Sequence, residues 1–108
     1  MAGFQSICTV EDVPEGSAKL FVIGDMQVGV FHVNGEFFAL DNRCPHAGAS
    51  LANGLIEGET VYCRIHYWQF SLRDGRRIDE VCPDTNARSL PLRVVGQEVQ
   101  VDLEPEIE

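Results

Sequence analysis

The sequence has no long hydrophobic run and little positive charge over its 108 residues. No stretch approaches eighteen apolar residues, so a membrane-spanning helix is not expected. Eight Lys and Arg residues against seventeen Asp and Glu residues give a formal net charge of −9. Because phosphate contacts need clustered positive charge, nucleic acid and anionic membrane surfaces are poor candidate partners. An acidic protein of this kind is expected to be steered toward a basic surface on another protein.

Sustained helical periodicity, internal repeats and interdomain linkers are also missing from the sequence. Short apolar or alternating runs are instead separated by turn dipeptides, a pattern typical of an all-β fold. A chain of this length can build one modest core but not two, so we predict a single domain over residues 1–108. The predicted architecture is an antiparallel β sandwich or barrel with a small ligand-bearing insertion at about residues 42–75.

Turn signals divide the chain into the predicted strands. Asn34-Gly35 is typical of a tight turn with two positive φ values, so the runs on either side should form a hairpin. Asp74-Gly75 and Gly96-Gln97 predict two further turns. Residues 79–89 have no periodicity and are predicted to form a loop. The predicted strands cover residues 19–24, 27–33, 36–40, 60–65, 67–72, 90–95 and 98–103, and residues 4–10 alternate as a further strand would.

Histidine and cysteine are scarce, with three and four copies, yet two of each lie in two short segments. Cys44-Pro45-His46 is followed, after sixteen intervening residues, by Cys63-Arg64-Ile65-His66. Small residues between positions 42 and 53 allow the backbone to approach a ligand closely. A [2Fe–2S] cluster in which two histidines replace two cysteines on one iron needs this ligand set. The candidate ligands are therefore Cys44, His46, Cys63 and His66.

The spacing C-x-H-x16-C-x2-H resembles that of the Rieske iron–sulfur family, and the flanking strand pattern fits a lone Rieske domain. The resemblance implies that Cys44 and Cys63 bind the inner iron of one [2Fe–2S] cluster, and that His46 and His66 bind the outer, solvent-facing iron. Two Fe³⁺ ions, two sulfides and two thiolates leave the oxidised site neutral, so it accepts an electron more readily than an all-cysteine site. The resemblance thus implies an electron carrier.

Two departures from the respiratory members of that family indicate a low-potential ferredoxin type. Those members carry an extra cysteine in each ligand loop, whereas here Gly48 and Ala49 follow the first histidine. They also carry a serine that bonds a bridging sulfide, whereas here Tyr67-Trp68 follows the second histidine. Fewer donors to the sulfides lower the potential. Many relatives have glycine where this chain has Tyr67. This tyrosine could shape a docking face, donate a hydrogen bond or pack within a strand, and Trp68 is predicted to lie in the core.

Two electron-transfer functions remain open. One is a ferredoxin that passes electrons from a flavin reductase to a terminal oxygenase. The other is the Rieske-like small subunit of a cytoplasmic NAD(P)H nitrite reductase, which would bind that enzyme's large subunit. The Tyr67-Trp68 pair fits the second function, but the complete ligand set favours the first. A structural Cys₂His₂ zinc site is a remote alternative, because zinc sites seldom use a Cys-x-His spacing.

An enzyme in its own right is not expected. Once His46 and His66 are assigned to the cluster, only His32 remains, so the two-histidine, one-carboxylate iron site of a Rieske oxygenase cannot be built. No export signal is visible, and respiratory members carry a membrane anchor that this chain has no room for. A cytoplasmic location is therefore expected.

Five further residues have predictions of their own. Cys8 is predicted to be a partly buried strand thiol, and Cys82, which precedes a proline, is predicted to lie in a loop. His32 has no ligand partner at close spacing, so a structural role is predicted. Arg43 and Arg64 lie beside ligands and either orient an acidic partner or are ordinary solvated charges.

Overall fold

The computed structural model describes residues 4–24, 26–42, 50–64, 67–78 and 87–103. In these ranges ten strands form three antiparallel sheets, which confirms the all-β prediction. Short 3₁₀ turns cover Val10–Asp12 and Leu51–Asn53. Across the same ranges no helix has the length and apolar character needed to cross a membrane. The strands are β1 (Phe4–Thr9), β2 (Ser17–Ile23), β3 (Met26–Val33), β4 (Glu36–Asp41), β5 (Leu55–Glu57), β6 (Thr60–Tyr62), β7 (Gln69–Ser71), β8 (Ser89–Leu90), β9 (Leu92–Val95) and β10 (Glu98–Asp102).

The central sheet has the order β2-β3-β4-β8, and its β3–β4 hairpin is the one that the turn signal predicts. Asn34 and Gly35 have φ values of 55° and 79°, as a two-residue hairpin turn requires. The Glu15 carboxylate accepts hydrogen bonds from both of their backbone N–H groups, at 2.6 and 2.8 Å. The turn is therefore fixed by its own residue types and by one distant side chain.

The central sheet is buried on both faces along β3. Val28 and Val30 belong to a core shared with the sheet β1-β10-β9. Phe31 and Val33 belong to a second core, shared with the sheet β5-β6-β7. The expectation that the chain builds only one core is therefore wrong, because the central sheet has a covering sheet on each side. A strand that is covered on both sides reads as almost continuously apolar. The three sheets thus form three layers, with the predicted ligand-bearing region on one side of the central sheet.

Several predicted boundaries need correction. The strand predicted at residues 60–65 ends at Tyr62, and the one predicted at 67–72 begins only at Gln69. The strand predicted at 90–95 is divided at Pro91, which has no N–H to donate to a ladder. Strand β5 was missed, because a three-residue strand is too short to show alternation. The predicted loop at 79–89 lies outside the described residues over 79–86, and its last residue belongs to β8.

Candidate metal centre

A hairpin between β6 and β7 carries the second pair of predicted ligands. Cys63 follows β6 directly and is fully buried. Its backbone N–H donates to the carbonyl oxygen of Trp68 at 2.8 Å, and its own carbonyl oxygen accepts from the N–H of Tyr67 at 2.8 Å. These two bonds close a four-residue loop over positions 64–67. His66 is the third residue of that loop in the sequence and lies outside the described residues.

Tyr67 ends this loop with a φ of +60°. The left-handed region suits glycine, and a residue with a Cβ is strained there by roughly 1–2 kcal/mol. The side chain is also 62% exposed. The alternative that Tyr67 packs within a strand is therefore wrong, and the backbone conformation gives a physical reason why glycine suits this position.

Asn42, which is fully buried, precedes the first ligand segment (residues 43–49) and forms hydrogen bonds to the residues that follow it. These contacts form the base of that segment. The Nδ2 of Asn42 donates to Ser50 Oγ at 2.8 Å, and its Oδ1 accepts from the N–H of Ala52 at 2.7 Å. Its carbonyl oxygen also accepts from the N–H of Leu51 at 2.7 Å. The two ends of segment 43–49 are thereby joined. Cys44 and His46 belong to that segment, which lies outside the described residues.

The 3₁₀ turn Leu51–Asn53 connects the two ligand segments. Asn42 binds one end of this turn, while the Nε of Arg64 donates to the carbonyl oxygen of Asn53 at the other. A Cβ on Gly54 would collide with the carbonyl oxygen of Tyr62, so the chain after the turn lies directly against β6. Both segments therefore start from neighbouring points of one rigid base.

The described surroundings fit a thiolate-bound metal centre. Cys63 shares a buried core with Leu51, Val61 and Phe70, an apolar shell of the kind that controls solvent access to a cluster. No group of three or more His, Cys, Asp or Glu residues in the described part of the chain could hold a metal. The four-residue set of Cys44, His46, Cys63 and His66 stays a prediction, because only Cys63 lies in that part. Two thiolates and two imidazoles nevertheless match the donor chemistry of a mixed-ligand [2Fe–2S] cluster.

A cation–aromatic stack supports the hairpin from inside. The guanidinium carbon of Arg77 lies 3.5 Å from the ring centroid of Trp68, and Arg77 is only 9% exposed. The backbone of Arg77 bridges to Phe70 in β7, which fixes the stack against the sheet. Trp68 is partly buried and packs against the core that contains Cys63, so it lies at the edge of the core in which it was predicted to lie. Arg77 could not be predicted from the sequence, because a buried arginine carries no local signal there.

The other residues with predictions have simple outcomes. His32 is structural, as predicted: its Nδ1 donates to the Val13 carbonyl oxygen at 2.8 Å, and its ring stacks on Phe37. Cys8 is a buried strand thiol, as predicted, and burial raises its pKa to about 11. Arg64 is exposed, but its hydrogen bond to a backbone carbonyl gives it a structural role as well. The predictions for Arg43 and Cys82 fall outside the described residues.

Comparison with known proteins decides the family. The protein-family model for the Rieske [2Fe-2S] domain matches residues 3–98. The chain belongs to the Rieske [2Fe-2S] domain family. Since the matched range includes both ligand segments, this Rieske domain is an iron–sulfur domain, as its sequence predicts.

Relatives of this Rieske domain include proteins of oxygenase systems. The ferredoxin component of the alkene monooxygenase system of Xanthobacter autotrophicus is 35% identical over 105 residues, covering 94% of this chain and 83% of that protein. A chain in the solved complex of reduced oxygenase and oxidized ferredoxin in carbazole 1,9a-dioxygenase is 25% identical, with a TM-score of 0.83 and 97% of each chain covered. The NADH-dependent nitrite reductase small subunit of Mycobacterium tuberculosis, at 24% identity, shares the fold with a TM-score of 0.83 over 94% of this chain and 96% of that one.

Proposed function

We propose that this Rieske protein is a one-electron carrier of the low-potential ferredoxin type, which passes electrons from a flavin reductase to a terminal oxygenase and turns over no substrate itself. One observation carries the proposal: the buried Cys63 hairpin and the base of the first ligand segment share the turn Leu51–Asn53. The ferredoxin component of the alkene monooxygenase system and the ferredoxin–oxygenase complex support the same role.

In this proposal Cys44, His46, Cys63 and His66 hold one [2Fe–2S] cluster. The bound cluster supplies reversible storage of one electron at a site that is neutral when oxidised. The chain's own contribution is rigidity and exclusion of water. The buried amide of Asn42 fixes one ligand segment, and the two backbone hydrogen bonds of Cys63 fix the other.

A cytoplasmic site of action is part of the proposal. In the described part of the chain neither Cys8 nor Cys63 forms a disulfide, and reducing compartments are where unpaired thiols and thiolate-bound metals persist. The net charge of −9 supports a basic protein surface as the partner rather than nucleic acid or a membrane.

The small-subunit function in nitrite reductase remains a second candidate because of the Tyr67-Trp68 pair. The two functions differ in the partner that they require. Stable copurification with a large sirohaem-containing subunit would favour the nitrite reductase, whereas transient electron transfer to an oxygenase would favour the ferredoxin.

The first test is electron paramagnetic resonance of the anaerobically purified, dithionite-reduced protein, with iron, zinc and acid-labile sulfide assayed in parallel. We expect the rhombic signal of a reduced Rieske centre, with about two irons and two sulfides per chain. Cys63→Ser should lose the signal. Cys8→Ser is the matched control, because Cys8 is also a buried thiol, and should keep it. Stoichiometric zinc without sulfide would overturn the proposal.

A further inference from the structure

Tyr67 combines strain with exposure. Its φ of +60° is unfavourable for a side chain with a Cβ, and glycine would adopt it freely. Its side chain is 62% exposed, so burial of the ring within this chain does little to offset the strain. Backbone strain of this kind persists where the surrounding structure imposes it, and it concentrates at functional sites. An exposed aromatic ring at such a position therefore points to a contact outside the chain.

The backbone holds Tyr67 at the ligand hairpin. Its N–H donates to the carbonyl oxygen of Cys63, and the next residue, Trp68, accepts from the N–H of Cys63. Tyr67 also follows His66 directly in the sequence. A protein that docks on this hairpin would therefore meet a surface that includes the exposed Tyr67 ring.

The sheet face next to the hairpin carries a row of uncharged side chains. Leu55 pairs with Tyr62, Tyr62 pairs with Gln69, and the N–H of Ile78 donates to the carbonyl oxygen of Gln69. Leu55 is 43% and Ile78 is 44% exposed. Tyr62 ends β6 and Gln69 begins β7, so the row borders the hairpin that carries Tyr67.

On this face of the sheet the charged side chains lie in the next row, and the hairpin itself carries one further exposed charge, Arg64, whose Nε is turned to the carbonyl oxygen of Asn53. Glu57 pairs with Thr60, Thr60 pairs with Ser71, and the N–H of Ser71 donates to the carbonyl oxygen of Arg76. Glu57 and Arg76 are exposed and carry opposite charges at the two ends of this row. Protein interfaces commonly have such a centre, poor in charge and rich in tyrosine, with a polar rim.

We propose that Tyr67 is the side chain that anchors the terminal oxygenase to this Rieske protein. The ring enters an uncharged recess of the oxygenase, and the row containing Leu55 and Ile78 packs around the edge of that contact. This inference rests on the proposed function and adds to it the residue that determines the strength of docking. The partner surface that it requires is apolar at the centre, with basic and acidic groups confined to its margin.

The test measures electron transfer to the terminal oxygenase of the Xanthobacter autotrophicus alkene monooxygenase system as the concentration of this Rieske protein is varied. Tyr67→Gly should raise KM by about tenfold or more, as loss of an aromatic anchor does, with kcat and the reduction potential unchanged and Tm equal or higher. Tyr67→Phe should keep KM within about threefold, because the ring supplies most of the contact. Val22→Ala is the matched control, since Val22 is 63% exposed on β2 of another sheet, and it should leave KM unchanged.

Tyr67→Asn guards against a loop defect in the glycine variant, because asparagine tolerates the left-handed region while lacking the ring. It should raise KM as Tyr67→Gly does while keeping the paramagnetic signal of the cluster. If both variants have the KM of Val22→Ala, the inference is wrong and the carrier function stands. If the reduced wild-type protein transfers no electrons to the oxygenase, the proposed function fails for this partner and the inference fails with it.

Discussion

Replacing Asn42 by alanine tests whether the hydrogen bonds at the base of the first ligand segment stabilise the fold and hold that segment in place. The variant loses the hydrogen bond to Ser50 Oγ and leaves the N–H of Ala52 without its acceptor. A hydrogen bond contributes about 0.5–1.5 kcal/mol, and a buried polar group without a partner costs about 1–3 kcal/mol. Since Asn42 is fully buried, the free energy of unfolding should fall by roughly 2–4 kcal/mol. For a domain near this size, that corresponds to a Tm decrease of roughly 10–25 °C.

Thermal unfolding followed by circular dichroism measures this effect, and Gln100→Ala supplies the control. Gln100 also makes two side-chain hydrogen bonds, accepting from Arg93 Nε at 2.7 Å and donating to Glu98 Oε1 at 3.2 Å. Its partners are exposed, so water can replace them, and its loss should cost no more than about 0.5 kcal/mol. Iron release to a chelator should also be faster in Asn42→Ala, since the segment that carries Cys44 and His46 is fastened by this amide.

A clear result would refute the reasoning. If Asn42→Ala and Gln100→Ala lower Tm equally, the buried amide does not fasten the segment in the way that the hydrogen bonds indicate. If Tm falls but iron release is unchanged, Asn42 stabilises the fold without controlling the ligand segment. Only the combination of a large Tm decrease and faster iron release supports the role described for it.

Three further predictions rest on other parts of the structure. Gly75→Ala should lower the free energy of unfolding, measured with denaturant, by roughly 2 kcal/mol more than Gly58→Ala does. Both glycines have left-handed φ values, but only at Gly75 would an added Cβ collide with a backbone carbonyl. The hydrogen bond from Arg73 lowers the pKa of Glu59. The ionised Glu59 carboxylate therefore stabilises the fold above the ordinary carboxyl pKa, and this stabilisation is lost as pH falls. Glu59→Gln should flatten the acid side of the Tm–pH curve. Burial raises the pKa of Cys8 from 9.0 to about 11. The neutral Cys8 thiol therefore makes its full contribution to the stability of the fold below pH 9, and this contribution is lost as pH rises from 9 to 11. Cys8→Val should flatten that alkaline decline, and a thiol reagent at pH 8 should label Cys8 only after unfolding.

Each of these has an outcome that contradicts it. Equal costs for the two glycine variants would show that the chain relaxes around the added methyl group. An acid limb that is as steep in Glu59→Gln as in the wild type would remove this ion pair from the pH dependence. Fast labelling of Cys8 in the native protein would mean that its strand opens far more often than its burial indicates.

Features with local causes could be predicted from the sequence. The Asn34-Gly35 turn follows from the φ preferences of two adjacent residues, so the hairpin around it was predicted within one residue at each end. The structural role of His32 followed from the absence of a nearby ligand partner. The family could be predicted from the spacing of cysteine and histidine residues. An iron–sulfur cluster needs particular donor side chains, and these residue types are visible directly in the sequence.

Features that depend on contacts between distant segments could not be predicted in this way. The role of Tyr67 stayed open between a docking face, a hydrogen bond and strand packing. A positive φ at a bulky residue contradicts local preference and is imposed by the hairpin that closes on Cys63. The stack of Arg77 on Trp68 depends on residues 76–78 running beside β7. In both places the tertiary structure overrides what the residue type alone favours.

The sequence by itself determined the all-β class, the Rieske family and the four candidate ligands, since these depend on residue types at fixed separations. Only the tertiary structure decided how the ligand segments are supported. The hydrogen bonds of Asn42 reach Ser50 and Ala52, eight and ten residues further along the chain. The second buried face of β3 exists because a separate sheet covers it. The sequence pattern shows which residues are apolar. The residues that bury or bind each of them are determined only when the layers pack together.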